Sequence, residues 1–402
     1  MEETRLARAL RERGARGLPI IDLAASNPTR CGFQYDEAGI LAALGDARAM
    51  VYDPDPRGMR SAREAVCRYY EEHGARVEPE QIFLTTSTSE AYSWVFRLLC
   101  DAGDEVLIAQ ASYPLFDFLA QIEDVKLAPY PLLYHDGWQI DMEGLRERIT
   151  PRARAIAVVH PNNPTGHWTK ATERWELERI CAKRGLALIV DEVFLDYACA
   201  AHPVRAEERR ADKDGAPSFA AGEHPALTFV LSGISKIAAL PQMKAAWVCV
   251  FGPERERAEA LERLEVLADT FLSMNAPVQC ALATWLGPTA PDAGASGSPQ
   301  EQIRTRTAAN LRALDETIAR YPAVSRLKVE AGWYAVLRVP ALGSDEELAV
   351  RLVERGVSVH PGYFFGFSGN GWLVVSLLPP EAEFRRGAEI VCGMFGERAA
   401  EG

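Results

Sequence analysis

Seven short apolar runs recur between residues 81 and 251: QIFLTT, DEVLIAQ, VKLAPYPL, ARAIAVVH, LALIVDE, ALTFVLS and AAWVCVF. Runs this short and this continuously apolar fit strands covered on both faces, because a strand with one wet face would alternate polar and apolar residues. Between them lie segments such as SEAYSWVFRLLCDAG (89–103), where apolar residues return at i, i+3 and i+4 and Gly103 supplies a stop. Parallel strands need a long crossover, usually a helix. The rhythm therefore predicts an α/β fold with a mainly parallel sheet between two layers of helices.

The pattern changes after GPTAPDAGASGSPQ (287–300), which is nearly all loop formers. A charged amphipathic helix (301–321) is followed by strand-like KVEAGWYAVLRVP (328–340), a helix around SDEELAVRLVERG (344–356), and the runs VSVHP and WLVVSLL. That predicts a second, smaller α+β domain from about residue 285 to the end. A polar, Gly/Pro-rich stretch at 199–226 reads as a surface excursion, as does 287–300. The N-terminal MEETRLARALRERGARG has no apolar h-region and reads as a surface helix rather than a signal peptide.

The formal net charge of −12 over 402 residues repels polyanions, so nucleic acid is not an expected partner. No run of eighteen uninterrupted apolar residues exists, which argues against a membrane span and for the cytoplasm. The eight cysteines are scattered without a CxxC pair, the usage of reduced, buried thiols.

Five stretches carry candidate chemistry. LSGISKIAALPQMK (231–244) sets Lys236 after small residues and ahead of an apolar run. A lysine that attacks a carbonyl as a free amine needs such partial desolvation, which lowers its pKa. HPNNPTG (160–166) follows a strand, where open α/β sheets bind ligands; Asn163 can donate to an anionic oxygen, although the same residues also make a plain turn. Asp191 in DEVF closes an apolar strand and is costly there unless a cation meets it, the alternative being a helix cap. TTSTSEAYSW (85–94) puts Ser87, Thr88 and Ser89 at a helix start, either a phosphate site or a simple N-cap. ASYPLF (111–116) offers Tyr113 as a plate for a flat ring or as an ordinary core aromatic.

Together, in this order and at these strand ends, the stretches resemble the fold type I pyridoxal-phosphate enzymes, specifically the class I/II aminotransferases, over nearly the whole chain. The resemblance implies a large domain with a seven-stranded, mostly parallel sheet over 46–284. It implies a small domain built from residues 285–402 together with part of an N-terminal arm, 1–45. It implies pyridoxal 5'-phosphate as cofactor, with Lys236 as the Schiff-base lysine and Asp191 paired to the pyridine nitrogen. Asn163 would bind the phenolic oxygen, Tyr113 would stack on the ring, and Ser87, Thr88, Ser89 and Lys244 would hold the phosphate. Tyr52, in YDPDPRG, stands where the family sends a tyrosine to the partner subunit's phosphate, so a homodimer with shared sites is implied. The substrates would be a small amine or amino acid and a keto acid.

Five positions depart from the family pattern. Lys244 replaces an arginine and loses its bidentate grip. Phe194 replaces a tyrosine that donates to the phenolic oxygen, and Gly233 replaces a phosphate-binding serine, leaving Ser232 and Ser235 beside it. In GWLVVSLLPP, Val374 stands where the family has the arginine that clamps the substrate carboxylate. Either another cation takes that place, with Arg338 and Arg30 as candidates, or the reacting carbon bears no carboxylate. Ser26, in place of a glycine, also lies in the expected substrate wall. An aminotransferase with non-standard carboxylate recognition is the expected function. The alternatives are a pyridoxal-phosphate-dependent lyase, decarboxylase or cyclase, and a degenerate cofactor-binding regulatory protein.

Overall fold

The computed structural model describes residues 3–199, 218–272, 274–287 and 297–396. Each of the seven apolar runs forms a strand: β1 (Ile82–Thr85), β2 (Glu105–Ala109), β3 (Lys126–Tyr130), β4 (Ala153–Val159), β5 (Ala187–Asp191), β6 (Thr228–Gly233) and β7 (Ala246–Phe251). They make one sheet in the order β1-β7-β6-β5-β4-β2-β3. Only β7 runs against its neighbours.

Residues on one face of this sheet, among them Val158, Val190, Val230 and Trp247, enter one apolar core. Their alternates Ala157, Ile189, Phe229 and Val248 enter another. That double burial is why the runs are apolar throughout rather than alternating. Trp247 is fully buried, and its Nε1 donates to the Tyr70 hydroxyl at 3.1 Å. Its truncation to alanine would cost about 3–5 kcal/mol, the usual range for a lost core aromatic.

Register decides where the chemistry falls. Val159 of β4 lies beside Asp191 of β5, and Asp191 beside Leu231 of β6. Ala246 of β7 pairs with Gly233 of β6 on one side and with Thr85 of β1 on the other. The segments leaving β4, β5, β6 and β1 therefore emerge at one edge of the sheet, the carboxyl edge where such folds bind ligands.

The C-terminal part carries an antiparallel sheet of β8 (Ser325–Arg326), β9 (Tyr334–Arg338), β10 (His360–Pro361) and β11 (Trp372–Ser376), ordered β8-β9-β11-β10. Leu6 and Leu23, from the other end of the chain, share its apolar core with Leu348, Val353 and Phe384. Ile21–Asp22 pairs in parallel with Val357–Ser358. The run VSVHP thus divides between two sheets.

Strand-like KVEAGWYAVLRVP is a strand only from Tyr334 to Arg338. The residues before it spend their backbone groups elsewhere: Ala331 N–H donates to Gly166 O at 3.1 Å, Gly332 N–H to Tyr197 O at 2.8 Å, and Glu330 O accepts from Cys199 N–H. The 199–226 stretch lies largely outside the described residues, as does 287–300. Its described end is no surface excursion: Ser218, Phe219, Ala220 and Ala221 are buried, because Ser218 Oγ and the Phe219 N–H both donate to the buried Glu192 carboxylate. All eight cysteines are free thiols. Among the described residues, no helix is long and apolar enough to cross a membrane.

Candidate active site

Lys236 sits in the short helix Ile234–Ile237 that follows β6. Ile234 N–H is tied to Ala245 O, and the Lys236 carbonyl accepts from Ala239 N–H at 3.0 Å and from the Tyr197 hydroxyl at 2.6 Å. The Tyr35 hydroxyl holds Ala239 O at 3.0 Å. With its backbone pinned, the side chain lies against two rings: Nζ is 4.9 Å from the Trp333 ring centre and 5.8 Å from that of Phe194. The rings meet edge to face at 5.4 Å. Burial lowers the Lys236 pKa to about 8, with the Asp191 carboxylate working against it.

Asp191 ends β5, and its carboxylate accepts from Val193 N–H at 3.1 Å. Burial raises its pKa to about 6, opposed by the Val193 N–H, the Tyr92 hydroxyl and Lys236. The Tyr92 hydroxyl is buried beside it without completing a hydrogen bond of ordinary geometry. Asp191 is therefore no surface carboxylate; it is a buried acceptor short of cationic partners.

Asn163 lies in the loop after β4. Its neighbour Asn162 is used structurally, accepting from the Thr165 hydroxyl at 2.7 Å, whereas Asn163 Oδ1 is buried with no partner. The loop is tied to the C-terminal part through Gly166, where φ is +68° and a Cβ would stand 2.5 Å from Ala331 O, so only glycine fits. Beneath it, His167 Nε2 lies 3.0 Å from the Glu173 carboxylate, and Lys170 Nζ lies 2.6 Å from that of Glu330. Burial works to lower the His167 pKa, but the two carboxylates raise it above the ordinary value.

At the other end of the site, Ser87 N-caps the helix Thr88–Leu99, its Oγ accepting from Glu90 N–H at 3.1 Å. The Thr88 and Ser89 N–H groups lie in the first turn, where no intrahelical acceptor exists. Thr85, two residues earlier, is level with Gly233 across β7, so this turn lies two strand spacings, roughly 10 Å, from the Lys236 turn. A Cβ on Gly233 would meet Ala246 Cβ at 2.8 Å and Ala245 O at 2.9 Å, which explains why a serine is absent there. Ser232 is buried inside, its hydroxyl reaching Glu192 O at 3.5 Å; Ser235 is the hydroxyl left beside the lysine. Lys244 is exposed, in a left-handed conformation with φ of 54°.

Tyr113 is 43% exposed, and burial together with the Asp191 charge raises its pKa, which places it toward that carboxylate. Ser26 is half-buried near the Tyr334 hydroxyl, whose pKa burial pushes up to about 12 with the Ser26 side chain opposing. Tyr52 is 83% exposed, following the exposed Met50 and Val51. Arg338 is half-buried and engaged: its guanidinium stacks on Trp372 at 4.0 Å and donates to the Asn370 and Gly371 carbonyls at 3.1 Å each. Arg30 is exposed. Val374 is completely buried.

The structure thus brings Lys236, Asp191, Asn163, Phe194 and Tyr113 to one edge, leaves Tyr52 exposed and engages Arg338 with Trp372. Trp333, Tyr197 and Tyr92 join the site without having been singled out from the sequence. Trp333 and Tyr92 fall inside quoted runs, but nothing local distinguishes them from core aromatics; only the tertiary pairing does.

Residues 20–391 match the family described as aminotransferase class I and II. The glutamate-pyruvate aminotransferase of Escherichia coli K12 is 28% identical over 284 residues, 70% of this chain and 66% of that one. The alanine aminotransferase of Mycobacterium tuberculosis H37Rv is 29% identical over 280 residues, 68% and 61% of the respective chains. The chain thus spans just under two thirds of the length of these curated relatives. The alanine aminotransferase structure from Pyrococcus furiosus superposes with a TM-score of 0.83 at 22% identity, covering 98% of this chain and 99% of that one. At that identity the likeness is one of fold.

Proposed function

The chain belongs to the class I and II aminotransferases, and from that premise we propose that it is a pyridoxal-phosphate-dependent aminotransferase working as a cytoplasmic homodimer with shared sites. The single observation that carries this reading is the pairing of Lys236, its amine depressed to about 8, with Asp191, a buried carboxylate raised to about 6, at neighbouring strand ends. Each shift is costly in isolation. Both are relieved by a ligand that carries an electrophilic carbonyl for the amine and a cationic nitrogen for the carboxylate.

The residues fit that cofactor. Asp191 would hold the pyridine nitrogen protonated, the unpartnered Asn163 carboxamide would meet the phenolic oxygen, and Tyr113 would cover the ring. The Ser87–Ser89 turn, with Ser235 and Lys244, would take the phosphate. When bound, the cofactor supplies a carbonyl that accepts an amino group and a ring that draws electrons from the carbon bearing it.

The chain's own part is proton handling and exclusion of water. Lys236 Nζ, once released, is a base whose pKa lies near working pH, and it removes and returns the proton at the substrate's reacting carbon. The Trp333 and Phe194 rings keep that amine dry. The division into a large domain, 46–284, and a small one made of 285–402 with part of 1–45 is supported by the separate cores described above.

Half-reactions test the function. Amine donors should convert the cofactor to its amino form and release a carbonyl product, with no ammonia or carbon dioxide. Release of either gas instead of transfer would favour the lyase or decarboxylase alternative.

A further inference from the structure

Val374 lies at the centre of β11, paired in register with Val336 of β9 and His360 of β10. It belongs to the same apolar cluster as Trp333 and Phe194, the two rings against Lys236, together with Phe365 and Tyr334. A carboxylate placed here would need a cation, because burying it against valines has no compensating partner.

Three basic side chains of the neighbouring segments are committed. His360 Nε2 lies 3.2 Å from Ala24 O, and burial lowers the ring's pKa, so it faces Val374 uncharged near neutrality. Arg338 is held by Trp372 and two carbonyls. Arg306 donates to the Cys31 and Leu378 carbonyls at 3.3 and 3.2 Å and stacks on Phe33. The polar capacity that the cluster does retain is neutral: the indole N–H groups of Trp138 and Trp333 are buried without partners. Arg30, which precedes Cys31 of the same cluster, is exposed rather than buried with Val374.

On the reading that this site transfers amino groups, we propose that the substrate's reacting carbon bears no carboxylate and that its substituent is apolar. The donor is a primary amine carrying an aromatic or branched aliphatic group. It leaves as the corresponding aldehyde or ketone while an uncharged carbonyl acceptor takes its nitrogen, so the exchange balances without an added oxidant or reductant. Val374, Val336 and Phe365, members of one apolar cluster with the rings beside Lys236, would receive that substituent.

Two ligands of one shape and different charge test this: 3-phenylpropanamide and 3-phenylpropionate, titrated calorimetrically into the cofactor-loaded protein. The amide is expected to bind at least about tenfold tighter, the ratio that a modest unpaired-charge penalty produces. Val374→Arg should reverse the order; should that variant fail to fold, the wild-type comparison stands alone. Tighter or equal binding of the acid, or no binding of either at millimolar concentration, would overturn the proposal. Single-turnover mixing separates the two levels. Faster loss of the cofactor's visible band with 2-phenylethylamine than with L-phenylalanine supports the proposal. The reverse order overturns it while leaving amino-group transfer intact. No conversion by any member of a broad panel of amines and amino acids removes the transfer reading and this proposal with it.

Discussion

The Tyr197 hydroxyl donates a 2.6 Å hydrogen bond to the carbonyl of Lys236, the residue on which the site turns. Tyr197 also meets the Trp333 ring edge to face at 5.0 Å. One side chain therefore sets both the backbone of the lysine turn and the wall its amine rests on.

Tyr197→Phe removes the hydroxyl and keeps the ring. The Lys236 carbonyl retains its bond from Ala239 N–H, so the loss of stability should be modest, about 1 kcal/mol. Misplacing the lysine should cost more in rate than in binding: kcat is expected to fall about tenfold with KM little changed. A raised KM at unchanged kcat would assign Tyr197 to substrate binding instead.

Asp191→Asn should stabilise the cofactor-free protein at neutral pH. The folded-state pKa of about 6 lies above the ordinary 3.8, so the folded chain holds the proton more tightly. The resulting stability is present below pH 4 and is lost as pH rises through 6, by about 3 kcal/mol in all. Asparagine does not titrate. Thermal melts of the two cofactor-free proteins should therefore diverge between pH 4.5 and 7.5 in favour of the variant, although it should lose turnover. Parallel pH curves would show that Asp191 is not desolvated.

Met50, Val51 and Tyr52 form a run of exposed large side chains, a surface suited to a second copy. Sedimentation should give a dimer. Mixing Tyr52→Ala with Lys236→Ala protein creates heterodimers with one site that has both residues intact, provided Tyr52 acts across the interface. Such mixtures should regain about a quarter of wild-type activity at random pairing. No regain from two folded, dimeric variants would place Tyr52 in its own subunit's site or outside it altogether.

What the sequence made legible follows from how local each signal is. The seven strands were readable because double burial makes each run continuously apolar, from Ile82–Thr85 to Ala246–Phe251. Lys236, Asp191 and Asn163 stood out because each breaks an apolar run at a strand end, where a polar side chain needs a reason. Trp333 and Tyr197 were hidden because their significance lies in contacts between segments far apart in the chain. The setting of Arg338 is hidden for the same reason: its place on β9 is legible, but not that Trp372 and the carbonyls of Asn370 and Gly371 engage its guanidinium. The early end of β9 was likewise unreadable, since residues 330–332 bond to Gly166, Tyr197 and Cys199.

The most direct test of the central claim is to load the protein with pyridoxal phosphate, reduce it with borohydride and map the modified lysine by mass spectrometry. The adduct is expected on Lys236 alone, and Asp191→Asn should weaken cofactor retention without moving it. An adduct on Lys244 or Lys170, or none at all, would contradict it.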